Sequence, residues 1–183
     1  MVYILLAPGF EEAEALVPAD LLRRADVPVC LTGVGGACIT GAHGVRVMAD
    51  EMLEYISPEP GDTLVLPGGP GVAALEGSGA VQALVRRAAE EESMYLAAIC
   101  AAPTLLARMG LLRGRRAVCY PGMEGDLSAN GAIPCMDQST VGDGKFLTGR
   151  APGSAFDFGL ALVELLSGPQ AAARVRRDAH YHG

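Results

Sequence analysis

The sequence predicts an α/β fold with a mostly parallel central sheet covered by helices on both faces. Three observations carry this. Short β-rich runs alternate with helical runs, the spacing of right-handed crossover connections. Several of the β runs are continuously apolar, as strands buried on both faces must be. The turns richest in glycine and cysteine directly follow strands, on the edge where such sheets bind ligands.

In chain order, residues 2–7 form a continuous apolar strand. Residues 15–24 are helical, offering Leu16, Leu21 and Leu22 to a core, with Pro18 expected in or near the first turn because proline deeper inside breaks the hydrogen-bond ladder. Residues 28–34 make a second strand. Residues 38–40 and 45–48 read as a hairpin around the turn 41–44. Residues 63–66 are a short buried strand ending in Pro67-Gly68-Gly69. Residues 80–92 are an amphipathic helix with Val81, Leu84, Val85 and Ala88 at helical spacing. Residues 95–99 are a strand that runs straight into a helix over 101–109. Residues 116–119 read as a strand, and 139–148 as a hairpin turning at 142–144. An apolar helix covers 154–166, a more polar one 170–177, and the tail 179–183 is expected to fray.

The chain has 183 residues, enough for a single domain over 1–183 with one core. Half the residues are apolar and 19% are charged, a globular composition rather than a disordered one. With Lys plus Arg at 14 and Asp plus Glu at 21, the net charge is −7, which argues against nucleic acid or an anionic membrane as partner. No apolar stretch approaches the ~20 residues that span a bilayer. The apolar start reads as a buried strand rather than a signal peptide. The five cysteines are odd in number and form no Cys-x-x-Cys pair, so neither a disulfide framework nor a structural zinc site is expected, and a reduced cytoplasmic compartment is. Three histidines are few for a metalloenzyme; no metal and no cofactor are expected, and His180 and His182 would at most bind a metal adventitiously.

Three segments carry candidate chemistry. The first is Cys100, at the seam between a buried strand and a helix, with Ala98 and Ala102 two residues to either side and Pro103 in the first helical turn. A nucleophile on such a bend needs small neighbours, as the serine elbow of α/β hydrolases does. The helix N-terminus should favour the thiolate, and the N–H of Ala101 can help to stabilise an oxyanion. The second is Pro67-Gly68-Gly69-Pro70-Gly71, whose glycines allow close backbone approach and present N–H groups; no Gly-Lys-Ser/Thr follows, so it is not a phosphate loop. The third is Glu11, Glu12 and Glu14 at a helix start. Capping explains Glu11 and Glu12, whereas one carboxyl turned inward could share a proton with a thiolate.

In this order, LAPGFEEAEAL, LVLPGGPG, AAICAAPTLLA and LTGRAPGSAFDFGLALVELL resemble the ThiJ/PfpI family nearly end to end, in particular the branch of the parkinsonism-associated protein deglycase and its bacterial ThiJ-like relatives. The resemblance implies a flavodoxin-like, three-layer α/β/α sandwich of the glutamine amidotransferase-like type, assembled as a homodimer. It places Cys100 on the family's reactive, easily oxidised cysteine and Glu14 on the glutamate whose protonated carboxyl contacts that sulfur. Gly69 and Ala101 fall on the backbone N–H pair of the oxyanion hole. Arg150 and Pro152 fall on the segment between the last strand and the long helix, near the site. Where a branch of the family has a histidine directly after the cysteine, this chain has Ala101. Where the deglycase has a histidine on the strand after the elbow, this chain has Tyr120, a pocket wall or hydrogen-bond donor. His43 falls where an arginine is common and reads as structural. The resemblance therefore implies a Cys–Glu dyad rather than a Cys–His hydrolase, acting on small reactive carbonyls or glycated groups as a glutathione-independent glyoxalase or deglycase. The alternative is a non-enzymatic redox sensor or chaperone working through oxidation of the same cysteine.

Overall fold

The computed structural model describes residues 1–182. In chain order the strands are β1 (Val2–Leu6), β2 (Val29–Gly33), β3 (Cys38–Thr40), β4 (Arg46–Met48), β5 (Glu51–Met52), β6 (Thr63–Leu66), β7 (Tyr95–Ile99), β8 (Arg116–Ala117), β9 (Ile133–Pro134), β10 (Thr140–Asp143) and β11 (Phe146–Gly149). The helices are α1 (Glu12–Arg24), α2 (Val72–Gly77), α3 (Gly79–Glu90), α4 (Ala102–Arg108), α5 (Glu124–Ala129), α6 (Ala155–Ser167) and α7 (Pro169–Asp178). Seven strands form the central sheet in the order β10-β11-β7-β6-β1-β2-β5, parallel except for the β10–β11 pair. The small ribbons β3–β4 and β8–β9 stand apart from it.

Alternation along the strands builds the two cores. Leu5, Leu64, Leu66, Leu96 and Ala98 face α3 and α4, meeting Val81, Val85, Leu105 and Leu106. Ile4, Leu6, Val65, Ala97 and Ile99 face the other way, onto Ala15, Leu21 and Leu22 of α1 and Phe158, Leu162 and Val163 of α6. This is the three-layer sandwich expected. Its register brings Leu6, Leu66, Ile99 and Gly149 to one edge of the sheet, so the segments that follow them converge there.

The structure departs from the sequence reading in four places. Helix α1 begins at Glu12, three residues early, so Pro18 lies inside the helix and not in its first turn. Packing offsets the lost ladder bond: α6 approaches so closely that a Cβ on Gly159 would stand 3.1 Å from the Pro18 Cα and 2.7 Å from a Leu21 methyl. Strand β8 stops after Ala117, and the short elements β5, β9, α2 and α5 had no periodic pattern long enough to read. Glu12 stands in the acidic first turn of α1 as expected, its carboxylate bonded to its own N–H, but Glu11 at the N-cap makes no side-chain capping bond. The Glu12 carboxylate also accepts from the N–H of His43 (2.8 Å) and of Val45 (3.3 Å), tying the β3–β4 turn to the helix. Finally, the tail does not fray at Tyr181. Its ring stacks on Phe156 at 4.8 Å, lies under the Arg176 guanidinium, and its hydroxyl donates to Asp157. Gly183, also placed in that tail, lies outside the described residues.

Candidate active site

Cys100 sits at the tip of β7 with φ +67°, in the left-handed region that non-glycine residues rarely occupy and that costs about 1–2 kcal/mol. Two backbone bonds hold it there. Its N–H donates to the Gly149 carbonyl at 2.9 Å, and its carbonyl accepts from the Tyr120 N–H at 2.8 Å. Ala98 and Ala102 are fully buried beside it, as the small-neighbour argument requires, and Pro103 falls in the first turn of α4.

The glycine turn after β6 is stitched to the loop after β1. The Glu11 N–H donates to the Gly68 carbonyl at 3.0 Å, and the Gly71 N–H to the Gly9 carbonyl at 2.9 Å. The Gly68 N–H donates to Glu14 Oε2 at 2.8 Å. A Cβ on Gly68 would stand 2.7 Å from both the Cys100 Cβ and Glu14 Oε2, so only glycine fits between them. Gly68 is the part of this site that the sequence reading missed, having assigned the neighbouring Gly69. Gly69 takes φ +81° against the Gly9 carbonyl.

Glu14 is fully buried and Cys100 is 7% exposed. The Glu14 Oε1 atom is buried with no hydrogen-bond partner, and the carboxyl lies close to the Cys100 side chain, both standing beside the Gly68 Cα. Burial is the main force raising Glu14, to about 7, and the Glu11 charge adds to it; the bonds to Cys100 and the Gly68 N–H oppose. Burial likewise pushes the Cys100 thiol up to about 12, followed by the charge and hydrogen bond of Glu14, with the N–H groups of Gly69 and Ala101 acting the other way. The N–H groups at this bend act on the thiol in the direction the sequence analysis expects, but burial and the neighbouring Glu14 outweigh them. The two ionisations belong to one pair. With one proton lost, the pair carries one negative charge. Moving the remaining proton from sulfur to carboxyl then makes a thiolate with no change in net charge.

Cys100 opens onto a cavity of about 580 Å³, lined also by Gly69, Ala101, Tyr120 and Pro152, with Glu14 buried behind it. Tyr120 is 46% exposed and forms a wall. Arg150 does not line the cavity, although its N–H fixes the segment by donating to Ser139. Three further residues contribute to the lining: Glu11, His43 and Met123. His43 Nε2 lies 3.2 Å from Glu11 Oε2, so the histidine read as structural stands at the mouth of the cavity. Its only sequence signal was its residue type, because its partner is 32 positions away.

A model of the DJ-1/PfpI family matches residues 1–165. Protein dj-1beta of Drosophila melanogaster is 35% identical over 95% of this chain and 93% of its own length. Its crystal structure superposes with a TM-score of 0.93, covering 100% of this chain and 98% of that one at 33% identity. A deglycase of Pyrococcus abyssi is 33% identical over 90% of this chain and 98% of its own. A glutathione-independent glyoxalase of Caenorhabditis elegans is 31% identical over 91% and 89%. With its elbow cysteine, its inward glutamate and its near end-to-end match, the chain belongs to the DJ-1/PfpI family.

Proposed function

We propose that the protein is a cysteine-dependent enzyme acting on reactive carbonyls, of the glyoxalase or deglycase type, through Cys100 and Glu14. The observation that carries this reading is a thiol at the base of a cavity fringed by the N–H groups of Gly69 and Ala101, with a buried carboxyl close behind it at Gly68. The names of the Pyrococcus and Caenorhabditis relatives support the substrate class.

For a 2-oxoaldehyde such as methylglyoxal, the proton moves from sulfur to Glu14 and the thiolate attacks the aldehyde carbon. The C–S bond forms as the C=O π pair moves onto oxygen. The N–H groups of Gly69 and Ala101 stabilise this oxyanion, and the Glu14 proton then neutralises it as a hemithioacetal. Glu14, now a carboxylate, removes the aldehyde-derived C–H proton and gives it to the ketone oxygen, forming an enediol; it then takes the hydroxyl proton from the sulfur-bearing carbon, which becomes the thioester carbonyl, and delivers it to the neighbouring carbon. One carbon is oxidised and the other reduced, so no external oxidant is needed. Water hydrolyses the resulting thioester to the 2-hydroxy acid and frees the thiol. Tyr120 bounds the cavity. Arg150 acts by fixing its own segment, and Pro152 by shaping the wall.

Lactate formation from methylglyoxal tests this reading. Cys100→Ser is expected to lower kcat/KM by three or more orders of magnitude, roughly what loss of a nucleophile costs elsewhere. Turnover within a factor of two of the unaltered protein rejects the mechanism. A second reading, oxidation sensing at Cys100, draws on the same carboxyl. A Glu14 that keeps its proton near neutrality can donate it to a cysteine sulfinate. Peroxide titration followed by intact-mass measurement distinguishes the two: two added oxygens confined to Cys100 support sensing, and oxidation elsewhere with Cys100 untouched rejects it. Assembly as a homodimer and a cytoplasmic location belong to the same proposal. Val45 and Met48, exposed on the β3–β4 ribbon, offer an apolar surface for the first. Among the described residues no helix is long and apolar enough to cross a membrane.

A further inference from the structure

We propose that Arg108, which does not line the cavity, is a positioning residue for the Cys100 site, an inference that rests on the carbonyl-directed reading of that site. Arg108 is the last residue of α4, about 9 Å along the helix axis from Ala102. Its guanidinium is shared between two carboxylates. Nε and Nη2 donate to the two oxygens of Glu76, at 2.7 and 3.0 Å, and Nη1 donates to Asp126 Oδ2 at 2.7 Å. Glu76 lies in α2 and Asp126 in α5, so one side chain joins three helices.

Each of these helices adjoins a segment of the site. Helix α4 starts two residues after Cys100. Helix α2 follows the glycine turn, and the N–H of its first residue, Val72, donates to the Gly69 carbonyl at 3.2 Å. The residue whose N–H acts on the thiol is thereby hinged to α2. Helix α5 follows the loop that carries Tyr120 and Met123, both in the cavity wall. A chain of backbone bonds runs back from it. The Asp126 N–H donates to the Met123 carbonyl and the Met123 N–H to the Tyr120 carbonyl, each at 3.0 Å, and the Tyr120 N–H donates to Cys100. Arg108 therefore fixes an oxyanion donor and a cavity wall against the helix that begins at the elbow.

The three side chains are 34%, 42% and 48% exposed, so simple ion pairing among them adds little stability. Geometry is what the network supplies. A guanidinium is a rigid fork that serves one carboxylate with two N–H groups and a second carboxylate with another, which a lysine ammonium cannot match. Without it, Glu76 and Asp126 lose their shared partner and repel, and α2 and α5 are free to part.

The test reads Cys100 directly in the full chain. Its alkylation by iodoacetamide and by the bulkier N-phenylmaleimide is followed by site-resolved mass spectrometry. Arg108→Ala should raise the ratio of the bulky to the small rate by about tenfold, within the roughly hundredfold that a displacement of about 1 Å can produce. Asp126→Ala, which frees the wall, should raise the same ratio and raise KM for methylglyoxal. Glu76→Ala, which frees the Gly69 donor, should instead lower kcat, because that donor acts on the oxyanion. Arg108→Lys should recover only part of the change. Far-UV circular dichroism and urea denaturation establish that each variant folds. The proposal is overturned if the alkylation ratio is unchanged in Arg108→Ala and Asp126→Ala, if these variants lose stability alone, or if Arg108→Lys recovers everything. Alkylation requires no turnover, so failure of the carbonyl reaction, seen as full activity in Cys100→Ser, is distinguishable from failure of this role for Arg108.

Discussion

Three carboxylates stand at the start of α1, and the structure gives them opposite surroundings. Glu14 turns inward, fully buried against a thiol and one glycine N–H, and is held up to about 7. Glu12, two residues earlier, accepts hairpin N–H groups and titrates low. Glu11, a further position back, meets His43 at the cavity mouth. One residue type thus yields a buried carboxyl behind the cysteine, a carboxylate that ties the hairpin turn to the helix, and a side chain at the cavity wall. The difference teaches that the proton inventory of this site is set by what each side chain is packed against.

The strongest way to break the contrast is to remove the inner charge. Glu14→Gln should lower kcat/KM by about two to four orders of magnitude, the range for a lost general acid–base. Its acid limb, expected near pH 7 in the unaltered protein, should move upward, because the thiol then titrates without a partner to take its proton. An unchanged limb in a pH–rate profile would show that the carboxyl is a bystander.

Replacing the glycine between the partners comes next. Gly68→Ala puts a methyl group 2.7 Å from the Cys100 Cβ and from Glu14 Oε2. Overpacking of this kind costs about 1–3 kcal/mol. Turnover should fall by more than this loss of stability explains, since the two partners are forced apart. Equal activity per folded molecule, measured beside a denaturant curve, would remove Gly68 from the site.

The stability of the same glutamate sharpens the comparison. A carboxyl raised above its unfolded value makes the native state bind more protons than the unfolded chain between about pH 4.5 and 7. The contribution of Glu14 to stability is therefore full below that window and is lost as pH rises through it. Glu14→Gln removes this term, so above pH 7 the variant should be more stable than the parent, by about 1–3 kcal/mol. Urea denaturation at pH 5 and pH 8 checks the sign. A variant less stable at both values would mean that the ionised carboxyl is well solvated after all.

The smallest effect belongs to the rim. The Glu11 charge helps to raise Glu14, so Glu11→Gln should shift the acid limb downward by roughly a fraction of a pH unit, an effect weakened by screening as salt rises. A shift upward would contradict the assigned coupling.

Much of this architecture was legible from local pattern. The runs at Val2–Leu6, Thr63–Leu66 and Tyr95–Ile99 are apolar apart from Thr63 because both their faces are covered, and the strand-to-helix seam at Cys100 shows in its small neighbours. Resemblance to known motifs, rather than spacing, singled out Glu14 from its two neighbours. Pro18 was misplaced because the reading weighed only the helix's own ladder, whereas Gly159 of α6 lets a second helix close over it. The sequence by itself determined the layered α/β plan and the cysteine on its bend, since both follow from periodicity and side-chain size within a few residues. Only the tertiary structure decided where the protons sit and what surrounds them. Gly68 meets Glu14 across 54 positions and His43 meets Glu11 across 32, and the desolvation that raises both Glu14 and Cys100 exists only once the packed layers have excluded water.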